Sequence, residues 1–293
     1  MTMWAFIQQT VDGIESGAIY ATLALALVFI HRSTGLVNFA QGELAMVSTY
    51  ATLSLSQAGL SIYAAAMIAM VLSFLAGMVL ERVLFRPLSP QEPLPLVVVM
   101  LGLFVGLNAL AGLIWSYQTQ RLPGLFPADL IRIERVTLSV SAIGTLATLL
   151  TVCILLYLLF SHTRLGLMLR AAASNVHSAQ LLGIPVGLMF GIGWGVAAAL
   201  GCLAGVLVTP RLFLDPNVMQ GILIFAIAAA TAGGLDSAPG AVIAGLAIGV
   251  IENWAGAYWV GSDLRVVVPL VLILVVLTLR PAGLFGRARA VRV

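Results

Sequence analysis

The residues of this chain that could do chemistry are few, and the most prominent are two carboxylates in apolar surroundings. Glu43 follows Asn38 and Gln41 at the start of one hydrophobic run, and Glu252 lies late in another. A carboxylate in an apolar interior is costly unless it is paired, hydrated or protonated. Asn38, Gln41, Glu43 and Glu252 are therefore the candidate residues for a pathway or a gate.

A structural interpretation stands beside each functional one. On a helix, Gln41 lies about 200° around the axis from Glu43, so the two would not form one polar stripe. Asn38 could instead cap a helix whose first turns carry a solvated Glu43. Glu252 could line a pathway, bond to another helix or reach towards the membrane surface. Asn108, in the middle of a later apolar run, is more typical of a helix–helix hydrogen bond than of a ligand site.

Catalytic and metal-binding patterns do not occur in the sequence. The histidines His31, His162 and His177 are isolated, without the spacing of zinc ligands. Cys153 and Cys202 lie inside apolar runs, which is typical of packed thiols. All 14 basic residues are Arg, so the Lys of a Walker-type ATP site is missing. We expect a protein that is not an enzyme and binds neither a metal nor a cofactor.

Composition predicts an all-α, polytopic membrane protein. The chain is 61% hydrophobic and only 9% charged. Its apolar runs are continuous and long enough for helices that cross about 30 Å of hydrocarbon. No polar gap is large enough to fold as a soluble domain, and no removable signal peptide is apparent. The net charge of +3 is too small to indicate nucleic-acid binding. We predict one domain over residues 1–293 with about eight or nine transmembrane helices.

Hydropathy divides this domain into apolar segments. The segment 218–235 is short and rich in Ala, so it could span the membrane or enter and leave on one side. The predicted spans are 10–30, 38–57, 60–80, 94–115, 138–160, 186–208, 218–235, 239–258 and 265–280.

The arginines predict how these spans are oriented. Short cytoplasmic loops carry an excess of Arg and Lys. An N-terminus outside and a C-terminus inside give nine arginines inside against five outside. The inside residues are Arg32, Arg82, Arg86, Arg164, Arg170, Arg280, Arg287, Arg289 and Arg292, and the outside ones are Arg121, Arg132, Arg135, Arg211 and Arg265.

Glycines at four-residue spacing predict close contacts between helices, because they lie on one helix face and let backbones approach. We expect these contacts within the helix bundle. The glycines concerned are Gly102 and Gly106; Gly187, Gly191 and Gly195; Gly201 and Gly205; and Gly245 and Gly249.

One long polar insertion separates two apolar runs at residues 161–185, and its Ala content favours a helix of about four turns. A short cytoplasmic helix of this kind is suited to contact a soluble partner. Its pattern of Gly166, Arg170, Asn175, Ala179 and Gly183 resembles the coupling segment of ABC importer permeases.

Three further stretches make the resemblance specific to the branched-chain amino acid permease family, and to its H-type subunit. Residues 35–43, GLVNFAQGE, are similar to the family's early signature. Residues 233–240, GGLDSAPG, are similar to its Gly-Gly turn, here called the Gly-Gly motif. Residues 280–287, RPAGLFGR, are similar to its C-terminal Pro-x-Gly-Leu pattern, here called the C-terminal motif.

The resemblance implies a bacterial inner-membrane permease subunit that moves branched-chain amino acids inward. It implies a second homologous permease subunit, two ATPase subunits that use ATP, and an extracytoplasmic substrate-binding protein. A permease for urea or short amides is an alternative within the family, and an ion-coupled secondary transporter or channel using Glu43 or Glu252 is one outside it. The ATPase-coupling residues that it implies are Arg170, Ala171, Asn175, Ala179, Leu182, Gly183 and Ile184.

Two positions depart from the family pattern. Ala173 and Ser174 stand where members often carry an acidic residue, which leaves open any salt bridge to an ATPase. Asp236 replaces a small residue in the Gly-Gly motif and could change the cap of the following helix.

Overall fold

The computed structural model describes residues 3–35, 37–88, 93–133, 136–259, 261 and 264–286. Within this part of the chain the structure is almost entirely helical. The helices are α1 (Met3–Thr34), α2 (Gln41–Gln57), α3 (Ile62–Leu80), α4 (Pro93–Trp115), α5 (Val140–His162), α6 (Arg164–Ser174), α7 (Val176–Leu181), α8 (Val186–Leu212), α9 (Val218–Gly233), α10 (Ala238–Tyr258) and α11 (Val267–Leu279). Of the predicted features, Leu36, Arg135, Arg287, Arg289 and Arg292 lie outside the described residues.

The chain forms two compact units. The first comprises Met1–Val28, Phe126–Leu149 and Gly221–Val293, and the second comprises Phe29–Leu125 and Leu150–Gln220. Three of the four boundaries between them fall inside helices α1, α5 and α9, and the fourth, between Leu125 and Phe126, lies in the loop after α4.

The predicted helical membrane fold is confirmed. Each of the nine predicted spans is a helix, and among the described residues α1, α3, α4, α5, α8 and α10 have the length and apolar composition to cross a membrane. Helices α9 and α11 are apolar but shorter. Helix α1 begins at Met3 instead of residue 10, because the helix extends on the N-terminal side of the apolar run from which the span was predicted.

The second unit is built on the contact of α2 and α3 with α8. Small residues bring these backbones together: a Cβ on Gly77 would lie 2.6 Å from the Trp194 carbonyl oxygen, and one on Gly201 would lie 2.7 Å from Gln41 Nε2. Trp194 is buried and stacks on Phe85, with ring centroids 4.1 Å apart. Phe85 belongs to a π-helical turn that extends α3.

In the first unit, α1 and α10 run antiparallel in equally close contact. A Cβ on Gly13 would lie 2.6 Å from Val250 Cα, and one on Gly17 would lie 2.7 Å from Leu246 Cα. Gly249 faces the backbone of Gly17 in return. The predicted role of the spaced glycines in helix packing is confirmed for this pair of helices.

The Gly102 and Gly106 pair on α4 behaves differently. Among the described residues, nothing lies within 4 Å of the position that a Cβ would take at either glycine. The predicted packing within the bundle is therefore wrong for this pair, because this face of α4 meets no other helix of the described chain.

A short hairpin, which the prediction of an all-helical fold did not include, lies in the first unit. Strands β1 (Leu130–Ile133) and β2 (Val136–Ser139) pair antiparallel, with Leu130 opposite Ser139. The Gln8 side chain holds β2 to α1, since its Nε2 donates to the Thr137 carbonyl (3.1 Å) and its Oε1 accepts from the Thr137 N–H (2.9 Å). The alternation of apolar and polar residues in β2, Val-Thr-Leu-Ser, is the sequence signal for this hairpin.

The Gly-Gly motif and the C-terminal motif meet in the first unit. The Leu284 N–H donates to the Ala232 carbonyl at 2.8 Å. Gly283 has a φ of +80°, and a Cβ there would lie 2.6 Å from Gly234 Cα. Glycine is required at this position both by the backbone conformation and by the close approach.

The departure at Asp236 does not supply the cap of α10. The N-cap is Ser237, whose Oγ accepts from the Gly240 N–H at 3.1 Å. The helix therefore begins with an ordinary side-chain cap.

We predict that Gly205→Leu destabilises the protein far more than Gly102→Leu. A Cβ at Gly205 would meet the Thr49 side chain and would lie 3.1 Å from the Ala45 carbonyl, whereas Gly102 faces open space. Overpacking typically costs about 1–3 kcal/mol. Thermal unfolding of the detergent-solubilised variants measures the difference, and equal melting temperatures would contradict the packing of α2 on α8.

Candidate functional site

Helix α6 of the polar insertion folds back against the end of α5. The Thr163 hydroxyl accepts from the Gly166 N–H at 3.0 Å and caps α6. A Cβ on Gly166 would lie 2.6 Å from Phe160 Cα, so only glycine fits here. Leu169 and Ala172 bury the inner face of α6 in an apolar cluster of the second unit.

The insertion is two helices, not the single helix of four turns that was predicted. Asn175 breaks the helix, with φ −154° and ψ 106°, and its Oδ1 accepts from the Ser178 N–H at 2.9 Å to cap α7. Asn side chains compete with helical hydrogen bonds in this way. We call α6, Asn175, α7 and the following residues up to 185 the coupling segment.

Helix α7 ends in a Schellman motif. Gly183 has a φ of +77°, the Gly183 N–H donates to the Gln180 carbonyl at 3.0 Å, and the Ile184 N–H donates to the Ala179 carbonyl at 3.0 Å. These bonds satisfy the last carbonyls of the helix. Gly183 therefore fixes the turn that leads from α7 into α8.

The outer surface of the coupling segment carries two adjacent leucines. Leu181 is 77% exposed and Leu182 is 78% exposed. Large apolar side chains exposed in a polar segment are typical of a contact with another protein. Of the predicted coupling residues, those that the structure exposes are Arg170, Asn175, Leu182 and Gly183.

The other predicted coupling residues face inward. Ala179 is 1% exposed and lies in one apolar cluster with Leu169 and Val186, against which Ile184 also packs. Ala171 is half-buried. The expectation that small Ala side chains make room for a partner therefore does not apply to Ala179, which anchors α7 to the chain itself.

An ion pair between the buried Glu81 and the exposed Arg86 lies beside the coupling segment. Arg86 Nη2 is 2.7 Å from Glu81 Oε2 and donates to the Gly187 carbonyl at 2.5 Å. The hydrogen bond that Arg86 donates to the Glu81 carboxylate raises the pKa of the Arg86 guanidinium. The pair ties the π-helical end of α3 to the first turn of α8.

Asn38 and Gln41 are fully buried in the second unit. Asn38 accepts from the Ala40 N–H at 3.0 Å and donates to Gln41 Oε1 at 3.2 Å, and Gln41 Nε2 donates to the Ala197 carbonyl on α8 at 2.8 Å. The N-cap of α2 is Ala40, without a side-chain cap. The predicted Asn38 cap at a solvated helix entrance is therefore wrong, because these amides bond to each other and to α8.

Glu43 is buried as well, with 1% exposure. Its Oε1 accepts from Gln220 Nε2 at 3.2 Å, and its Oε2 accepts from Asn108 Nδ2 at 3.4 Å. Both amides also donate to Asn217 Oδ1, at 3.2 and 3.1 Å. We call Glu43, Asn108, Asn217 and Gln220 the polar cluster. Gln41 and Glu43 have different partners, as their angular separation predicts.

Glu252 bonds to two other segments in the first unit. The Tyr20 hydroxyl donates to Glu252 Oε2 at 3.1 Å, and Arg265 Nη1 lies 3.8 Å from Oε1. Tyr20 in turn stacks on Phe225, with ring centroids 4.6 Å apart. Glu252 on α10 is therefore bonded to Tyr20 on α1. This agrees with the interpretation of Glu252 as a residue that bonds to another helix.

In the described part of the chain, no three His, Cys, Asp or Glu side chains gather as a metal site would require. The chemistry available at these sites is therefore hydrogen bonding and ion pairing.

Over residues 9–277 the chain matches the family described as "Branched-chain amino acid transport system / permease component". The chain belongs to this family. The resemblance that the sequence motifs indicated is thereby confirmed, and the protein is a membrane permease component of a transport system.

Curated relatives of the chain match it along nearly its whole length. It is 29% identical to the high-affinity branched-chain amino acid transport system permease protein BraD of Pseudomonas aeruginosa, over 99% of both chains. It is 28% identical to the corresponding permease protein LivH of Escherichia coli K12, over 98% of both chains. A probable LivH of Methanocaldococcus jannaschii is 28% identical, over 93% of this chain and 91% of the relative.

A solved structure shares the fold. PsaBC from Streptococcus pneumoniae in complex with Fab matches with a TM-score of 0.51 and 13% identity, over 92% of this chain and 90% of that chain. At this identity the likeness concerns the fold alone.

Several site residues escaped the sequence analysis. Gln220 contacts Glu43 from a position 177 residues further along the chain, and Asn217 joins the cluster through Gln220 and Asn108; local patterns do not reveal such contacts. The Glu81–Arg86 pair could have been found, since an acidic and a basic residue five positions apart flank the end of an apolar run.

Proposed function

We propose that this protein is a permease subunit of an ATP-driven ABC importer that moves branched-chain amino acids inward. The observation that carries the proposal is the family match over residues 9–277. The names of relatives from bacteria and an archaeon, aligned over almost the whole chain, support the substrate class.

The energy for transport comes from separate subunits in this proposal. The chain has no Lys and so lacks a Walker-type nucleotide site, and ATP is bound and hydrolysed by two ATPase partners. A second homologous permease completes the pathway, and an extracytoplasmic binding protein delivers the substrate. The chain itself binds no cofactor.

The coupling segment is the part of the chain that contacts an ATPase. Leu181 and Leu182 stand out from α7 and fill an apolar groove on the partner, with Arg170 and Asn175 at the edge of the contact. Since Ala179 is buried against α8, closure of the ATPases on ATP moves α7 and α8 together.

The proposed orientation places the N-terminus outside and the C-terminus in the cytoplasm. In the second unit, three loops assigned to the inside lie close together. Arg32 is 5.0 Å from the centre of the Phe160 ring, near the start of α6, and Arg86 bonds to Gly187 at the start of α8. This gathering of arginines around the coupling segment supports a shared cytoplasmic position.

Uptake into proteoliposomes tests the proposed function. Leucine import is expected only when the permease is combined with its partner permease, both ATPases, ATP and the binding protein. Import by this chain alone, driven by an ion gradient, would contradict the proposal and favour an ion-coupled transporter.

We predict that the double variant Leu181→Asp, Leu182→Asp loses the ATPase subunits. Two charges in an apolar contact leave unpaired groups that typically cost several kcal/mol on binding. Co-purification of the ATPases with the tagged permease measures the effect. Leu130→Asp is the matched control, since Leu130 is 61% exposed on the hairpin of the first unit and is not part of the coupling segment. Equal recovery of the ATPases from both variants would argue against the docking role.

The orientation can be tested by cysteine labelling in a Cys153→Ala, Cys202→Ala background. Ser178→Cys, at an exposed position of α7, is expected to react with a membrane-impermeant maleimide only from the cytoplasmic side. Ile131→Cys, at an exposed position of β1, is expected to react from the outside. The reverse pattern would invert the proposed topology.

A further inference from the structure

The polar cluster has more hydrogen-bond acceptors than donors. The Asn108 amide has two N–H groups but contacts three acceptors, namely Glu43 Oε2, Asn217 Oδ1 and the Pro216 carbonyl. The Gln220 amide is shared between Glu43 and Asn217. The bonds to the carboxylate are long, at 3.2 and 3.4 Å, so Glu43 is weakly satisfied by these partners.

Within the described residues no basic side chain forms an ion pair with Glu43. A carboxylate with 1% exposure is costly without a positive partner. Arg86 and Arg265, which do form ion pairs, lie against Glu81 and Glu252.

A second polar group in the same region has no partner. Tyr50 is fully buried, and its hydroxyl makes no hydrogen bond among the described residues. It is seven residues after Glu43 on α2, hence two turns and about 10 Å away on the same helix face. Asp215 Oδ1 accepts from the Asn217 N–H at 2.7 Å, so a second carboxylate adjoins the polar cluster. Glu43 and the unpartnered hydroxyl of Tyr50 therefore belong to the same face of α2.

An aromatic pair lies on α2 and α4, the helices that carry Glu43 and Asn108 of the polar cluster. The Tyr50 ring stacks on Trp115, with centroids 4.9 Å apart and an interplanar angle of 19°. Trp115 is held by a hydrogen bond from its Nε1 to Ser54 Oγ at 2.9 Å. Aromatic faces attract both apolar side chains and ammonium groups.

We propose that the polar cluster and the Tyr50–Trp115 pair form a transient binding site for the head group of an apolar α-amino acid on its way through the permease. The substrate ammonium donates to Glu43 and to the acceptors around Asp215. Its side chain lies against the aromatic pair. The inference rests on the proposed function, since the substrate class comes from there.

The chemistry of the site matches a zwitterion better than a simple cation. When an ammonium group takes over the oxygens of Glu43, the amide N–H groups of Asn108 and Gln220 become free to donate to the substrate carboxylate. An inorganic cation would use the oxygens but would leave these donors, and the aromatic surface, without a role. Asn217 is the exposed member of the polar cluster.

The first test is leucine uptake by the complete complex with saturating, leucine-loaded binding protein. Glu43→Gln removes the charge but keeps the shape, and we expect uptake to fall about tenfold or more, the effect of losing about 1.4 kcal/mol of a charge-assisted contact. Glu15→Gln is the matched control, since Glu15 is a 5% exposed carboxylate of the first unit, outside the polar cluster. Equal uptake by the two variants, both assembled with ATPases, would overturn the inference while leaving the proposed function intact.

The second test measures ligand contact without transport. In the Cys153→Ala, Cys202→Ala background, Asn217→Cys is labelled with a maleimide in the purified complex. Millimolar leucine is expected to slow the labelling. The analogue 4-methylpentanoate, which lacks the ammonium group, is expected to leave the labelling rate unchanged. The Glu43→Gln substitution is expected to abolish the protection by leucine. Protection by both compounds, or by neither, would overturn the inference. This readout also decides the matter if the wild-type complex imports no leucine, a result that would contradict the proposed function.

Discussion

Inside hydrocarbon no water is available to a polar group, so each buried donor or acceptor of this permease depends on a partner in the protein or in its ligand. Gln41 meets this requirement through the Ala197 carbonyl, and Glu81 meets it through Arg86. The Gln41 bond joins α2 to α8, and Arg86, which bonds to Glu81 at the end of α3, also donates to the Gly187 carbonyl on α8. The requirement therefore does more than hold individual side chains, because it fixes α8 as the element to which α2 and α3 are bonded.

This arrangement links the coupling segment to the buried carboxylate through contiguous contacts. Ala179 fixes α7 to the beginning of α8, and Gly187, in the first turn of α8, accepts a hydrogen bond from Arg86. Further along α8, Gly201 lies against Gln41 on α2, two residues before Glu43. In the proposed function, these contacts carry a displacement of α7 from Leu181 and Leu182 to the polar cluster.

Local sequence patterns predicted the helices well, because an apolar run long enough to cross a membrane leaves the backbone no other choice. They failed at Asn175, since one Asn in an Ala-rich stretch is compatible with either a helix or a break. They failed again at Glu43, whose partner Gln220 is distant in the chain. A sequence read locally gives the helix on which a polar residue lies, but it does not give the polar residue that faces it.

The meeting of the C-terminal motif with the Gly-Gly motif has a consequence for synthesis. The Ala232 carbonyl receives its bond from the Leu284 N–H, which leaves the ribosome only after α10 and α11 have been made. The turn between α9 and α10 therefore waits in an incomplete state while two more helices are inserted. Its closure is therefore a late event in biogenesis, which no part of the chain before Leu284 can bring about alone.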